Sequence, residues 1–126
     1  SVASMSGVQP YPGMGAYSPT KAALLMLVRT LAQEWADDGI RVNAVSPGLI
    51  HTSLTAKVYA DAPTKAAREA LVPLHRIGDP DADIAGIVSF LIAPEAGYIT
   101  GQNILADGGL MDIAHGLIPG RPATQR

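Results

Sequence analysis

The chain has no cysteine, and aromatic residues make up only 5% of its 126 residues. Without cysteine the protein cannot carry a disulfide framework, a catalytic thiol or a thiolate metal site, and its compartment is left open. Charged residues are also sparse, at 16%, and the net charge is -2. Such a chain has no basic surface of the kind that attracts nucleic acid or anionic membranes. We therefore expect neither as a partner.

Long apolar runs are missing as well. The longest run, residues 22–28, ends at Arg29, whereas a helix that crosses a bilayer needs about 20 apolar residues. The first residues also lack the basic stretch and apolar segment of a signal peptide. We therefore expect no membrane span and, by default, a cytoplasmic location.

The sequence does contain an alternation of strand and helix patterns. Apolar residues make up 48% of the chain, enough for a hydrophobic core. The predicted elements are a strand end at 1–4, a helix at 17–38, a strand at 40–45, a helical excursion at 53–78, a helix from residue 80 and a strand at 103–106. Strands that alternate with helices predict an α/β fold with a parallel sheet.

The predicted sheet is small for its class. A parallel sheet is normally covered by helices on both faces and has more than about three strands. The chain also begins with Ser1 rather than Met, in what resembles the second part of a strand. We therefore expect further strands upstream of Ser1. At the other end, residues 115–126 are rich in Pro and Gly, and we expect them to be loosely held.

Candidate chemistry lies at the start of the first predicted helix. Tyr17 and Lys21 are four residues apart, so on a helix they share one face at about 5–6 Å. An ammonium group beside a phenol favours the phenolate form, which suits the phenol for general acid–base work. The hydroxyl of Ser4 could hold the substrate oxygen. An isolated Tyr-x-x-x-Lys pair is also common by chance, as a helix-start aromatic residue followed by a solvated lysine.

Three separated motifs give the pair a context. They lie within residues 4–23, 41–52 and 99–109. In this order the motifs resemble the classical short-chain dehydrogenase/reductase family, over about residues 1–109. The family places its catalytic serine thirteen residues before the tyrosine, which here is Ser4. A shifted loop would bring Ser6 into that position instead.

The resemblance implies a Rossmann-like, doubly wound parallel sheet of which this chain holds the last three strands and their helices. Residues 1–126 are then the C-terminal catalytic half of a single domain, and the N-terminal dinucleotide-binding half is absent. Residues 53–78 match the position of the family's substrate lid. Alternatively, they form only a surface helical excursion.

The resemblance also implies an activity: NAD(P)-dependent transfer of a hydride between the nicotinamide and a small alcohol or carbonyl substrate. Tyr17 would act as general acid or base, and Ser4 would hydrogen-bond the reacting oxygen. Lys21 would favour ionisation of Tyr17 and bind the nicotinamide ribose. These three residues are the expected catalytic set, and Tyr17 and Lys21 also count as cofactor-binding residues.

The cofactor loop is expected to follow the second predicted strand. By resemblance, Pro47 and Gly48 shape the loop against the nicotinamide, and the backbone of Ile50 pairs with the carboxamide. The hydroxyl of Thr52 would contact the cofactor, although Thr52 could instead be a helix cap. The cofactor is NAD or NADP, and the sequence does not favour one of them.

No metal site is expected. Three aspartates between Asp79 and Asp83 imitate a calcium loop, but Ile84 stands where that loop needs glycine, so we expect helix capping. The three histidines are scattered without ligand spacing.

Two functions stay open for the polypeptide. The first is the catalytic half of an oxidoreductase that is a homo-oligomer at full length and inactive as this fragment alone. The second is a truncated, non-catalytic remnant or oligomerisation module, which uses the last helix and strand as a dimerisation surface.

Overall fold

A short parallel sheet organises the chain. A computed structural model describes the backbone of residues 1–117 and the side chains of residues 1–114. Strand β1 (Ala44–Pro47) pairs in parallel with β2 (Asn103–Ala106). Val2 forms a single parallel bridge to Val45. In this bridge the Val45 N–H donates to the Ser1 carbonyl, and the Ala3 N–H donates to the Val45 carbonyl. The predicted α/β class with parallel strands is confirmed, although the first segment contributes a bridge rather than a strand.

Helical segments connect these strands. The α-helices are α1 (Tyr17–Glu34), α2 (Ala56–Tyr59), α3 (Ala62–Leu71) and α4 (Gly86–Ile92). The 3-10 turns are Met5–Gly7, Pro94–Ala96 and Leu110–Leu117, and a π-helical turn spans Pro80–Ala85. Of the tail predicted to be loose, residues 115–117 belong to the last 3-10 helix, and residues 118–126 lie outside the described part. No helix of the described chain has the length and apolar character that a bilayer span requires.

The first helix ends earlier than predicted. The helix spans Tyr17–Glu34 and is closed by a hydrogen bond from the Trp35 N–H to the Leu31 carbonyl, so it ends before residue 38. Two backbone hydrogen bonds form the turn after the helix. The Gly39 N–H donates to the Ala36 carbonyl, and the Ile40 N–H donates to the Trp35 carbonyl. Gly39 has a φ of +72°, so the left-handed cap predicted at this glycine is present.

Strand β1 begins four residues later than predicted and ends two residues later, because side chains rather than a ladder hold the residues before it. The Arg41 guanidinium donates to the carbonyls of Ile99 and Ala93 at 3.2 and 3.3 Å. The Asn43 amide donates to the Ile99 carbonyl at 2.8 Å and accepts from the Gln102 N–H at 3.0 Å. These contacts hold the chain beside the approach to β2 until the ladder begins at Ala44.

Two apolar clusters cover opposite faces of the sheet, because successive strand residues point to opposite sides. Val45 and Ile104 belong to the cluster that packs against α4. Leu105 points the other way, into the cluster of Met5, Val72 and Leu110. The core is therefore built across the sheet from residues distant in sequence.

Two aspartates begin helical segments where the sequence predicted them. The Asp61 carboxylate accepts from the Thr64 N–H at 3.0 Å at the start of α3. Asp79 accepts from the N–H groups of Asp81 and Ala82 at 2.9 and 2.8 Å. The helix predicted from Pro80 opens with the π-helical turn and becomes regular only at Gly86.

An ion pair fixes the entry to the π-helical turn. The Arg76 guanidinium donates two bonds to the Asp83 carboxylate, at 2.6 and 2.7 Å. Asp83 also accepts from the Asp79 N–H at 2.7 Å. The hydrogen bond from Arg76, followed by that from the Asp79 backbone, holds the pKa of Asp83 well below its ordinary value.

A close backbone approach fixes the first 3-10 turn on α1. A Cβ at Gly7 would lie 2.8 Å from the Lys21 carbonyl carbon and 2.9 Å from its oxygen. Only glycine therefore allows this contact without a shift of the backbone.

We predict that Gly7→Ala lowers the free energy of unfolding by about 1–3 kcal/mol, because the new methyl group collides with the helix backbone. Gly86→Ala is the matched control, since a Cβ at this helical glycine meets nothing within 4 Å, and alanine in a helix is favoured by about 1 kcal/mol. Denaturant unfolding of both variants checks the pair. Equal effects of the two changes would contradict the close approach at Gly7.

The Arg76–Asp83 pair generates a pH prediction. Because the pKa of Asp83 is lowered from 3.8 in the folded protein, the stability it contributes is complete above that ordinary value and is lost as the pH falls through the lowered value. The difference in unfolding free energy between wild type and Asp83→Asn should therefore narrow between about pH 5 and about pH 2. Asp81→Asn, on the same turn, is the control. A difference independent of pH would refute this assignment.

Candidate active site

Tyr17 and Lys21 lie together at the beginning of α1. The Lys21 ammonium nitrogen is 5.6 Å from the centre of the Tyr17 ring. The Tyr17 side chain is 40% exposed, so the phenol is not buried in the apolar interior. Tyr17 and Lys21 therefore share one face of the helix, as their four-residue spacing predicted, and the phenol is accessible to a ligand.

Ser4 lies at the end of the chain segment that Lys21 contacts. Its backbone is extended, and its hydroxyl oxygen accepts from the Ser6 N–H at 3.1 Å, capping the turn Met5–Gly7. The hydroxyl hydrogen of Ser4 is therefore free to donate to another oxygen. Two residues earlier, the Val2 carbonyl lies 3.5 Å from the Lys21 nitrogen, a long contact that a better acceptor could replace.

Ser6, the alternative to Ser4, is 7% exposed. It lines a cavity of about 280 Å³ beside the first turn of α1, together with Ser18. The Ser18 hydroxyl is buried, and no residue in the described part of the chain forms a hydrogen bond with it. Ser4 is thus the more accessible of the two candidate serines.

The loop after β1 starts from a second close backbone approach. Gly48 N–H donates to the Ala106 carbonyl at 2.9 Å. A Cβ at Gly48 would lie 2.6 Å from both the Cα and the Cβ of Asp107. Pro47, the last residue of β1, therefore leads into a loop whose path requires glycine at its next position.

Ile50 lies in a parallel bridge to Gly78. The bonds of this bridge use the neighbours of Ile50: Gly78 N–H donates to the Leu49 carbonyl at 2.9 Å, and His51 N–H donates to the Gly78 carbonyl at 2.8 Å. The backbone groups of Ile50 itself therefore point away from Gly78, since successive peptide groups of an extended chain alternate in direction.

Thr52 does not cap α2. The residue at that helix start is Thr55, and its hydroxyl bonds back to the loop, to the Ile50 carbonyl and the Thr52 N–H, both at 2.8 Å. Sequence reasoning missed Thr55. The available signal was the Thr-x-x-Thr spacing of Thr52 and Thr55, which allows a local side-chain turn.

An aromatic stack was also not predicted, because the histidines were considered only as possible metal ligands. The rings of His51 and Tyr59 stack with centroids 5.6 Å apart and planes at 26°. The guanidinium carbon of Arg68 lies 5.6 Å from the centre of the Tyr59 ring, and Tyr59 is 6% exposed. The stack joins the loop after β1 to α2 and α3.

A second cavity lies away from the Tyr17–Lys21 pair. It measures about 500 Å³ and has a mostly apolar lining at the carboxyl ends of β1 and β2: Leu49, Ile50, Val72, Leu74, Leu105 and residues 106–109, with Arg76, Gly78 and Asp83 at one side. It includes the cofactor-loop residue Ile50 but none of the three predicted catalytic residues. Within the described residues, no group of three or more acidic or histidine side chains is arranged to hold a metal ion.

The chain has clear relatives. The family model described as enoyl-(acyl carrier protein) reductase matches residues 1–111. A tropinone reductase homologue of Arabidopsis thaliana is 46% identical over 109 residues, which are 86% of this chain and 35% of the relative.

Solved structures of dehydrogenases are also similar to this chain. The 4-hydroxyisoleucine dehydrogenase complexed with NADH has a TM-score of 0.84 and 35% identity, over 88% of this chain and 45% of that one. A gluconate 5-dehydrogenase from Burkholderia cenocepacia, in complex with NADP and tartrate, has a TM-score of 0.81 and 29% identity, over 88% and 43% of the two chains.

This chain therefore spans less than half the length of these relatives. The family match nevertheless covers residues 1–111, which include the serine, the tyrosine–lysine pair, the loop after β1 and both strands. The chain belongs to the short-chain dehydrogenase/reductase family.

Proposed function

We propose that this chain is the C-terminal catalytic half of an NAD(P)-dependent oxidoreductase that interconverts an alcohol and a carbonyl compound. The observation that carries the proposal is the Lys21 ammonium group 5.6 Å from the exposed Tyr17 ring. This arrangement supports proton transfer because the cation stabilises the phenolate that remains after Tyr17 gives up its proton. The Rossmann-like fold and the relatives' names support the same reaction class.

Each of the three side chains has a role in this proposal. In the direction of reduction, the Tyr17 hydroxyl donates its proton to the carbonyl oxygen of the substrate, and in oxidation it takes the proton back. The free hydroxyl hydrogen of Ser4 binds the same oxygen and stabilises the charge that develops on it. Lys21 supplies the positive field and, by exchanging its long contact with the Val2 carbonyl, can bind the ribose. When bound, the nicotinamide supplies or accepts the hydride.

The loop after β1 fits the nicotinamide end of such a cofactor. Gly48 lets the chain pass directly over Asp107. The backbone groups of Ile50 then point away from Gly78, and the Thr52 hydroxyl follows two residues later. The structures similar to this chain were solved with NADH and with NADP, which supports either cofactor.

Residues 53–78 are proposed as the lid over a small-molecule substrate. The segment carries large apolar side chains on its surface, with Leu54 at 92%, Leu71 at 51% and Leu74 at 63% exposure. Such side chains offer contacts to an apolar part of a substrate that is not present in the structure.

The second candidate function, an oligomerisation module without catalysis, rests on a different surface. Phe90 and Ile92 of α4 are 45% and 76% exposed, and Tyr98 is fully exposed. An exposed apolar surface of this kind favours contact with a second copy, which agrees with a homo-oligomer at full length. It does not account for the exposed tyrosine–lysine pair, so the enzyme is the better proposal.

A panel of alcohols and ketones, tested with both cofactors on the full-length protein that contains this chain, examines the proposal. Nicotinamide absorbance reports turnover. Activity with any alcohol–carbonyl pair supports the enzyme, whereas an intact, cofactor-binding protein that turns over none of them favours the module.

We predict that Tyr17→Phe lowers kcat/KM by at least about 100-fold, because the phenyl ring carries no proton to transfer. Binding of the reduced cofactor should change little. Tyr11→Phe is the matched control, since Tyr11 is a comparably exposed tyrosine, at 49%, outside the proposed site. Turnover of Tyr17→Phe equal to wild type would remove Tyr17 from the mechanism.

A further inference from the structure

The hydroxyl of Thr55 is the hydrogen-bonding centre of the loop after β1. It donates to the Ile50 carbonyl at 2.8 Å and accepts from the Thr52 N–H at 2.8 Å. The Thr52 hydroxyl lies 3.3 Å from the same oxygen. One side chain thus holds two backbone groups and a neighbouring hydroxyl of the segment 50–52.

The donor count of Thr55 decides how the Thr52 hydroxyl is oriented. A hydroxyl has one hydrogen and two lone pairs. The Thr55 hydroxyl lies 2.8 Å from the Ile50 carbonyl and 3.3 Å from the Thr52 carbonyl. Its hydrogen goes to the nearer of these two acceptors, the Ile50 carbonyl, so its oxygen accepts from the N–H and the hydroxyl of Thr52. The hydrogen of the Thr52 hydroxyl then points at Thr55, and the lone pairs of Thr52 are left to accept from a ligand.

The backbone of Ile50 supplies the complementary group. Its carbonyl is taken by Thr55, and its N–H points away from Gly78, without a hydrogen-bond partner in the described part of the chain. The segment therefore presents one donor, the Ile50 N–H, and one acceptor, the Thr52 hydroxyl oxygen. The Ile50 carbonyl and the Thr52 hydroxyl both contact the Thr55 oxygen, so Thr55 holds the two residues next to each other.

A role of Thr55 in capping α2 does not explain its position. Although Thr55 is the first residue before that four-residue helix, its side chain makes no capping hydrogen bond to it. Its hydroxyl is turned back toward the loop instead. The bonds of Thr55 therefore organise residues 50–52, not the helix that follows.

We propose that Thr55 is a positioning residue that sets residues 50–52 to bind a primary amide, the carboxamide of the nicotinamide. The carboxamide oxygen accepts from the Ile50 N–H, and the carboxamide NH2 donates to the Thr52 hydroxyl. Thr55 itself does not touch the ligand. This inference rests on the proposed function, since that function supplies the nicotinamide.

The test compares Thr55→Val with Thr55→Ser in the full-length protein. Valine removes the hydroxyl and keeps the shape, whereas serine keeps the hydroxyl. Binding of NADH or NADPH should weaken about tenfold in Thr55→Val, as expected for one lost hydrogen-bonding centre. The matched ligand without the nicotinamide, ADP-ribose for NADH or 2′-phospho-ADP-ribose for NADPH, should bind all three proteins equally. Thr55→Ser should restore binding of the reduced cofactor to within about twofold of wild type.

Amide hydrogen exchange of the ligand-free proteins gives a readout that does not depend on the cofactor. The Thr52 amide should exchange faster in Thr55→Val, because its acceptor is gone, and at the wild-type rate in Thr55→Ser.

The outcomes separate the two proposals. Equal weakening of the reduced cofactor and its matched ligand in Thr55→Val, or no weakening of either, overturns the role of Thr55 while leaving the proposed function intact. An unchanged Thr52 exchange rate in Thr55→Val also overturns it. If the wild-type protein binds neither reduced cofactor, the proposed function fails, and the amide-binding role falls with it.

Discussion

The site depends on two places where backbone passes over backbone without an intervening side chain. At Gly7 the turn after the first strand segment lies directly on α1 at Lys21, and at Gly48 the loop after β1 lies on Asp107. The first contact sets Ser4 beside the helix that carries Tyr17. The second sets the path of the loop assigned to the nicotinamide. Protein interiors tolerate little extra volume, so both close approaches require glycine.

Features with local signals could be predicted from the sequence. Asp61 and Asp79 cap the helical segments that follow them, and Gly39 takes the left-handed cap. Strand β2 has the predicted bounds, Asn103–Ala106. The tyrosine and lysine share a helix face because four residues make about one turn. In each case the information lies within a few residues, and family resemblance was needed only to say what the arrangement is for.

Features set by distant parts of the chain could not be predicted. Arg41 and Asn43 have the composition of a strand approach, but they bond to carbonyls more than fifty residues away, which moves the start of β1. The Thr52–Thr55 spacing allows a local side-chain turn, but it does not indicate that the Thr55 hydroxyl bonds back to Ile50 rather than capping α2. The family match could not supply these details either, because they depend on side-chain geometry rather than on motif order.

His51 stacks on Tyr59, and Arg68 lies over the Tyr59 ring. These contacts join the loop at the end of β1 to the segment proposed to cover the substrate. A rearrangement of α2 and α3 that moves the buried Tyr59 ring also changes the packing of His51 in that loop. If residues 53–78 cover the substrate and the loop after β1 binds the dinucleotide, as proposed, substrate selectivity and dinucleotide affinity are coupled through this contact. Substitutions in this segment that alter one of the two properties are then expected to alter the other as well.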